Sequence, residues 1–308
     1  MIAVVRSQAP PDLGGHLYVD PAFLAYQADA QGKALETFTA LDSHGAAVAS
    51  LTLAGKAGAW ASPITGAFGG VAAAPGAGTL AIAAVVEAAS GWLRDQGLRA
   101  EVRLAPDGFA DAAAGAVENA LFRSGWRLAQ VDLNYHLAAA GPDAFFTSLG
   151  ETKQKELRRL KRSGAAFVRL DPADGERAYA VIAANRAARG FPMTMAWPQV
   201  RALAEAFPDQ TGFAIVGRDG QALAGAISLE LTPAWTYVFY WGEAPDSRKE
   251  SPVMLLAEGL AAERAARGGV LDLGTSTQDS QPNPGLIGFK EGLGCRATAK
   301  RTYAFGAT

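Results

Sequence analysis

Basic residues are concentrated in one short segment, Glu151 to Gly164, which reads ETKQKELRRLKRSG and holds six cations against two glutamates. At helical spacing, positions i, i+3, i+4 and i+7 gather four cations on one face: Lys155, Arg158, Arg159 and Arg162. Leu157 and Leu160 fall on another side, where they would pack. The cationic face predicts binding of a phosphate-bearing partner, and an ordinary solvated helix surface is the alternative.

An aspartate and a lysine near the C-terminal end are further candidates for chemistry. Asp272 stands inside the apolar run Val270 to Leu273, where a buried carboxylate needs a partner. It is therefore either a structural residue or a tuned general base. Phe289 and Lys290 lie in a glycine-flanked segment, Gly285 to Gly294, which is expected to be a loop. A surface lysine is the alternative interpretation of Lys290.

Several polar and aromatic side chains of the second half are candidates for lining an acceptor cleft. They are Tyr237, Tyr240, Trp241, Tyr303, Asn185, Arg186 and Arg189. Packing in an aromatic core strand, or solvation at a helix end, explains them as an alternative. Cys295 is the single cysteine and has no histidine close in sequence, so no nucleophilic role is expected for its thiol.

The first half alternates strands and helices that could position such residues. Its predicted elements are strands at 36–41, 47–53 and 60–71, a helix at 79–96, a strand at 100–104, a helix at 110–123 and a strand at 126–137. The first two strands form a hairpin, the third runs into a glycine-rich loop, and Gly97 ends the long helix.

The second half repeats this order of elements with negligible residue identity. Its predicted elements are helices at 151–164, 175–189 and 197–207, strands at 167–170, 212–216, 223–231, 235–241 and 270–273, and a helix from Ser251-Pro252 to Gly268. Ser251 is expected to be the N-cap of that last helix. The small-residue stretch ending in Pro142 predicts a boundary, giving domains 1–141 and 142–308.

Composition excludes several classes of protein. At 308 residues the chain has room for about two domains. A formal net charge of -2 argues against a globally basic nucleic-acid binder. One cysteine and three separated histidines (His16, His44 and His136) argue against a disulfide framework or a metal site. The absence of a signal-peptide pattern and of a long apolar run predicts a cytoplasmic protein with no membrane span.

The order of elements, a hairpin feeding a strand, loop, helix and strand, is similar to the GNAT acyltransferase fold. Two such units joined by a basic helix resemble the Fem-type peptidoglycan aminoacyltransferases and the FemAB-like acetyltransferases. The resemblance rests on the basic helix, on ASPITGAFGGV in the first half, on the run from WTYVFYWGEAP to VLDLG, and on GLIGFKEGLGCR. It implies an α/β fold of two tandem GNAT-like domains, each with a mixed, mostly antiparallel sheet flanked by helices.

The resemblance implies an N-acyltransferase that acts on an amine of a cell-envelope precursor, such as an amino sugar, a polysaccharide or a peptidoglycan peptide. The donor would be acetyl-CoA or another acyl-CoA, or else aminoacyl-tRNA. A non-catalytic module that binds a nucleotide-sugar or a partner is the alternative, and an RNA-binding protein is a third. No metal is expected.

Site residues follow from the same resemblance. Lys290 would assist the donor or the oxyanion, with Asp272 or a water as base, and Phe289 and Tyr240 would contact substrate. The pyrophosphate loop of GNAT enzymes, Gln/Arg-x-x-Gly-x-Gly/Ala, has two partial counterparts. Gly76 and Gly78 keep the glycines without the basic residue, and an ordinary glycine-rich loop is the alternative there. The segment from Arg248 through Ser251 to Val253 keeps the arginine, but Glu250 adds negative charge and Pro252 lacks an N–H donor.

Overall fold

The computed structural model describes residues 2–109, 113–138, 141–191 and 193–306. They group into two compact units. Unit 1 falls within Met1–Leu133, Thr277–Gln281 and Thr298–Thr308, and unit 2 within Asn134–Ser276 and Pro282–Ala297. The sequence predicts that everything after residue 141 belongs to the second domain. The last strand instead joins unit 1, because it pairs with a strand of that unit, from Thr302 opposite Arg103 to Phe305 opposite Ala100.

Through residue 138 the chain forms seven strands and three α-helices among the described residues. In chain order they are β1 (Ala3–Ser7), α1 (Pro21–Gln31), β2 (Ala34–Leu41), β3 (Ala47–Lys56), β4 (Ala59–Ser62), β5 (Val71–Ala73), α2 (Thr79–Asp95), β6 (Arg99–Arg103), α3 (Ala114–Arg123) and β7 (Arg127–Ala138). Residues 110–112 begin the helix that the sequence predicts at 110–123, and residues 139–140 lie at the predicted domain boundary. Both segments lie outside the described residues.

The remaining elements, again in chain order, are α4 (Pro142–Ser148), α5 (Glu151–Arg162), β8 (Ala166–Leu170), α6 (Gly175–Ala188), α7 (Trp197–Ala206), β9 (Thr211–Arg218), β10 (Gln221–Thr232), β11 (Trp235–Glu243), α8 (Val253–Arg267), β12 (Val270–Thr275), β13 (Thr277–Gln278), β14 (Gln281–Pro282), α9 (Pro284–Glu291) and β15 (Arg296–Phe305). None of the described helices is long and apolar enough to cross a membrane.

Unit 1 contains a mostly antiparallel sheet in the order β1, β2, β3, β4, β6, β15, with β5 added on β3. β4 and β6 form a parallel pair within it. Helix α2 covers this sheet because its buried residues recur at helical spacing, from Ile82 through Val86 and Ala89 to Leu93. These side chains pack with Leu51 of β3 in one hydrophobic core.

Within unit 2 the strands lie in the order β7, β12, β11, β10, β9, β8, and β7 belongs to this unit from Asn134 onward. Its strands are antiparallel except for β11 and β12. Helix α6 lies so close to β10 that a Cβ at Gly225 would sit 2.7 Å from the Ala178 carbonyl oxygen. The absence of a side chain at Gly225 is what allows this approach.

The structure corrects two local predictions. The segment expected to be a loop around Lys290 is helix α9, whose N-cap Asn283 accepts a hydrogen bond from the Leu286 amide at 3.1 Å. Its glycines weaken the helical signal in the sequence. Ser251 does not cap α8 with its side chain, since it adopts a left-handed conformation with φ of 52° and the helix begins at Val253.

Candidate active site around Lys290

The two parallel strands of unit 2 separate part-way along their length. β11 and β12 pair from Trp235 opposite Val270 to Tyr237 opposite Asp272, and then pairing stops although both strands continue. Across from β10, Phe239 is the extra residue of a β-bulge, because Val238 and Tyr240 face consecutive residues of that strand. An opening at the carboxyl ends of parallel strands is where α/β sheets gather ligand-binding groups.

Lys290 lies at this separation and is buried, with 1% of its surface exposed. Its ammonium donates hydrogen bonds to the carbonyl oxygens of Gly274 at 2.8 Å and of Thr275 at 3.0 Å. It also stands 5.6 Å from the centre of the Tyr135 ring. Lys290 is therefore held in the last turn of α9 rather than carried on an exposed loop.

Asp272 is equally buried and accepts three hydrogen bonds. Oδ1 receives the Asn134 side-chain amide at 2.9 Å and the Gly274 backbone N–H at 2.7 Å. Oδ2 receives the Trp235 indole N–H at 3.2 Å. This matches the general rule that a buried carboxylate is stable only when donors surround it.

Gly274 connects the two charged groups. Its N–H faces Asp272, and its carbonyl oxygen accepts from Lys290. The residue has φ of 75°, a conformation that side chains rarely adopt, and a Cβ there would lie 3.5 Å from the Tyr237 ring. A glycine at the end of β12 thus allows one backbone residue to hydrogen-bond both the Asp272 carboxylate and the Lys290 ammonium.

Two half-buried aromatic side chains of β11, Trp241 and Tyr237, lie near residues adjacent to or bonded to Lys290. Trp241 lies 5.8 Å from the Phe289 ring, and Tyr237 lies 6.5 Å from Phe239. Tyr240, a predicted substrate contact, belongs instead to the core between β11 and α6. There its ring lies 5.7 Å below the Arg186 guanidinium, and its hydroxyl hydrogen-bonds to Thr194. The structure therefore pairs Arg186 with Tyr240 in a separate cluster.

Tyr303 lies in unit 1, whereas Lys290 lies in unit 2. The Tyr303 hydroxyl donates to Glu118 at 3.2 Å. Burial raises the pKa of Tyr303, and the neighbouring Glu118 carboxylate raises it further. The sequence analysis had grouped Tyr303 with the second-half residues, because the return of the last strand to unit 1 is not visible in local patterns.

Solved structures of other proteins share this fold at low sequence identity. FemX matches with a TM-score of 0.67 and 11% identity over 90% of this chain and 89% of FemX. A tandem GNAT protein from the clavulanic acid biosynthesis pathway matches with 0.56 and 13% identity over 100% and 99% of the two chains. The chain has the fold of the Fem-type tandem GNAT proteins. The predicted fold class is thereby confirmed.

A third neighbour is L-PGS from Bacillus licheniformis, with a TM-score of 0.58 and 12% identity over 97% of this chain and 95% of that one. No family model and no curated protein matches the sequence. The tandem GNAT fold is thus recognised from the arrangement of elements, since residue identity has almost disappeared.

The basic face of α5 is exposed in the structure. Lys155, Arg158, Arg159 and Arg162 all point to solvent, while Leu157 and Leu160 are buried. Arg158 lies 4.7 Å from the Phe146 ring, and Lys155 is 3.9 Å from Glu151. All four cations remain exposed to solvent despite these contacts, so an anion can bind to this face.

The glycine-rich loop before α2 holds the two glycines that the sequence predicts as a partial counterpart of a GNAT pyrophosphate loop. Gly76 and Gly78 line an open groove of about 580 Å³, and a Cβ at either would meet nothing within 4 Å. The N–H groups of Thr79 and Leu80 have no acceptor among the described residues. No basic side chain stands among the described residues that line the groove.

In unit 2, Glu250 of the predicted loop forms an ion pair with Arg218, the last residue of β9. Arg218 donates to both oxygens of Glu250, at 2.7 and 3.0 Å. This hydrogen bonding lowers the pKa of Glu250 and raises that of Arg218. Arg248 is exposed beside the pair. This loop is less suited to a diphosphate than a glycine-rich loop, because Glu250 adds negative charge and the proline after Ser251 lacks an N–H donor.

Glu243, the last residue of β11, is a candidate that the sequence analysis missed. It is 8% exposed, and its Oε2 atom has no hydrogen-bond partner in the described part of the chain. Burial raises the pKa of Glu243, although Arg189 and Arg248 partly oppose the shift. Two residues apart on a strand, Trp241 and Glu243 share one face of β11. A single glutamate in WGEAPD carries no sequence signal for such burial.

Glu243→Gln is expected to stabilise the protein at pH 7.5 and to leave it near wild type at pH 4. Folding raises the pKa of this acid, so stability falls as the pH rises from the unfolded value through the raised one. The gain at pH 7.5 should be on the order of 1 kcal/mol. Thermal denaturation at both pH values measures it, with the exposed Glu205→Gln as control. Loss of stability at pH 7.5 would contradict the assignment.

Proposed function

We propose that the protein is an N-acyltransferase that transfers an acyl or aminoacyl group to an amine of a cell-envelope precursor. The observation that carries the proposal is the buried Lys290 ammonium at the separation of β11 and β12, beside half-buried aromatic side chains. The Fem-type fold and neighbours named FemX and L-PGS support a transferase. An amino sugar, polysaccharide or peptidoglycan peptide carries the accepting amine.

The reaction joins the acceptor nitrogen to the acyl carbon. The amine attacks the carbonyl, and negative charge develops on the carbonyl oxygen. The carbon–sulfur bond of a thioester or the carbon–oxygen bond of an ester then breaks. The proton lost by the amine passes to water, and the leaving group is protonated. Lys290 stabilises the developing oxyanion, because a fixed cation in a dry site stabilises charge more than water does.

We assign Asp272 to positioning rather than to proton transfer. Both of its oxygens already accept hydrogen bonds, including one from the Gly274 N–H. The carbonyl oxygen of the same residue, Gly274, accepts a hydrogen bond from the Lys290 ammonium. Asp272 therefore fixes the backbone on which Lys290 rests, and water is the base.

Two donors fit the observations. The N–H groups of Thr79 and Leu80, at the start of α2 in unit 1, have no acceptor among the described residues and suit the diphosphate of an acyl-CoA. An aminoacyl-tRNA would use the exposed cations of α5. Incubating the protein with labelled acetyl-CoA, and separately with charged tRNA, in the presence of amino sugars and peptidoglycan-precursor peptides tests both. Label in the acceptor is expected with one donor, and no transfer from either would refute the enzyme.

A non-catalytic module is the second candidate function. The ion pair between Arg218 and Glu250 favours it, because it fills the loop that would otherwise take a donor's diphosphate in unit 2. Under this hypothesis nucleotide-sugars raise the melting temperature while neither donor gives transfer. The same panel of incubations, combined with thermal shifts, separates the two functions.

Gly78→Asp is expected to weaken acetyl-CoA binding about tenfold without harming the fold. Gly78 is the N-cap of α2 with an extended backbone, so an aspartate is compatible there and caps the helix. Its carboxylate would repel a diphosphate at the same N–H groups. Gly78→Ser caps without charge and is the matched control. Calorimetric titration measures both, and equal affinities would show that phosphate is bound elsewhere.

A further inference from the structure

One cation of α5 behaves differently from the others. Lys153 is half-buried, and its ammonium donates a hydrogen bond to the Phe289 carbonyl oxygen at 3.2 Å. It also lies 5.0 Å from the centre of the Phe289 ring. No carboxylate lies within 4 Å of it in the described part of the chain, in contrast to Lys155 and Lys161. Burial lowers the pKa of Lys153.

The Phe289 carbonyl, which accepts the hydrogen bond from Lys153, is in the last turn of helix α9. In α9 the Gly292 N–H bonds to Gly288, and the Leu293 N–H bonds to Lys290, which bypasses the Phe289 carbonyl. Carbonyls in a last helical turn need partners from outside the helix. Lys153 supplies that partner from α5, and its positive charge suits a helix C-terminus.

Gly292 provides the space for this contact. A Cβ at Gly292 would overlap the Lys153 ammonium and lie 2.6 Å from its Cε atom. Gly288, one turn earlier on α9, has nothing within 4 Å of the same position. The lysine and the glycine are therefore complementary at one point of α9, and a methyl group there would displace the lysine.

We propose that Lys153 is a positioning residue that fixes the last turn of α9 and thereby holds the Lys290 ammonium on the Gly274 and Thr275 carbonyls. Phe289 and Lys290 are consecutive, so a hydrogen bond and a ring contact on the first restrain the second. The catalytic consequence rests on the function proposed above. The structural consequence does not, and it can be measured without any substrate.

Cys295 reports on this turn. It is the single cysteine of the chain, is 9% exposed, and its N–H bonds to the Lys290 carbonyl at 3.1 Å. Burial raises the pKa of the thiol to about 12, although the Lys290 and Lys153 ammoniums act in the opposite direction. A thiol in this state reacts slowly, and loosening of the turn should expose it.

The first experiment measures the rate at which a disulfide reagent such as DTNB labels Cys295. Lys153→Met and Gly292→Ala are each expected to raise the rate about tenfold with the folded far-ultraviolet spectrum retained. Lys155→Met on the same helix and Gly288→Ala on α9 are the matched controls. Lys153→Arg should restore slow labelling in part. Wild-type rates in both test variants would overturn the proposal.

The second experiment uses whichever donor and acceptor give transfer. Lys153→Met is expected to lower kcat about tenfold and to leave KM within twofold, since substrate binding is not its role. Faster labelling with kcat unchanged would refute the positioning role. If Cys295 labelling is faster but the protein shows no transfer with any donor, the Lys153 contact is supported and the proposed function is refuted.

Discussion

Replacing Lys290 with methionine should lower the rate of acyl transfer by about 10²–10³-fold, the range measured when one oxyanion-stabilising donor is removed. The ammonium is buried and fixed by two carbonyl oxygens, so its charge is already oriented before substrate arrives. Water cannot replace it without a change in the surrounding packing, because only 1% of the residue is exposed. Initial rates with the active donor measure the effect.

Lys290→Met also leaves the Gly274 and Thr275 carbonyls without their donor, at a cost of about 1–3 kcal/mol for each buried unpaired group. Lys290→Gln separates this loss from the chemistry, since an amide can donate a hydrogen bond but carries no charge. We expect the glutamine variant to recover stability and not rate. The exposed Lys56→Met is the control for a lost charge. A glutamine variant with the wild-type rate would exclude a role for the cation.

Asp272→Asn should lower the free energy of unfolding by about 3 kcal/mol. An asparagine can offer only one acceptor oxygen to three donors. Its amide would then face a donor, either the Trp235 indole or the pair formed by Asn134 and Gly274. The carboxylate is shielded from water, so no solvent compensates.

Urea denaturation measures this difference, with the exposed Asp209→Asn as the control for loss of a carboxylate. Cys295 labelling should also accelerate in Asp272→Asn, because the loss reaches Lys290 through Gly274. A variant as stable as wild type would mean that the three hydrogen bonds contribute little. The assignment of Asp272 to positioning would then fail.

Local patterns predicted much of the fold. The helix predicted at 79–96 is α2 at Thr79–Asp95, and the strand predicted at 126–137 is β7 at Arg127–Ala138. Both have strong periodicity and a clear end signal, such as Gly97. The charge pattern of α5 also predicted which residues are exposed. The order of elements then led to the tandem GNAT fold, which the FemX match confirms.

Local patterns failed where distant segments decide the outcome. Helix α9 carries three glycines in or beside it and reads as a loop, yet Asn283 caps it and Lys153 holds its end. Glu243 is buried, and its backbone carbonyl accepts a hydrogen bond from Asn185, which is distant in sequence. Tyr303 moved to unit 1 because β15 pairs with β6. Each result depends on pairing between residues that are far apart in the chain.

The sequence by itself determined many of the helices and strands, the cationic face of α5 and the glycines before α2, since each depends on neighbours within a few turns. Only the tertiary structure decided that Lys290 is buried and that both oxygens of Asp272 accept hydrogen bonds. It also decided that Lys153 donates a hydrogen bond to the last turn of α9. Burial and hydrogen bonding of charged groups are set by residues brought together from distant segments, here β7, β12, α5 and α9. The basic helix thus contains both an exposed face that composition could reveal and one inward lysine that it could not.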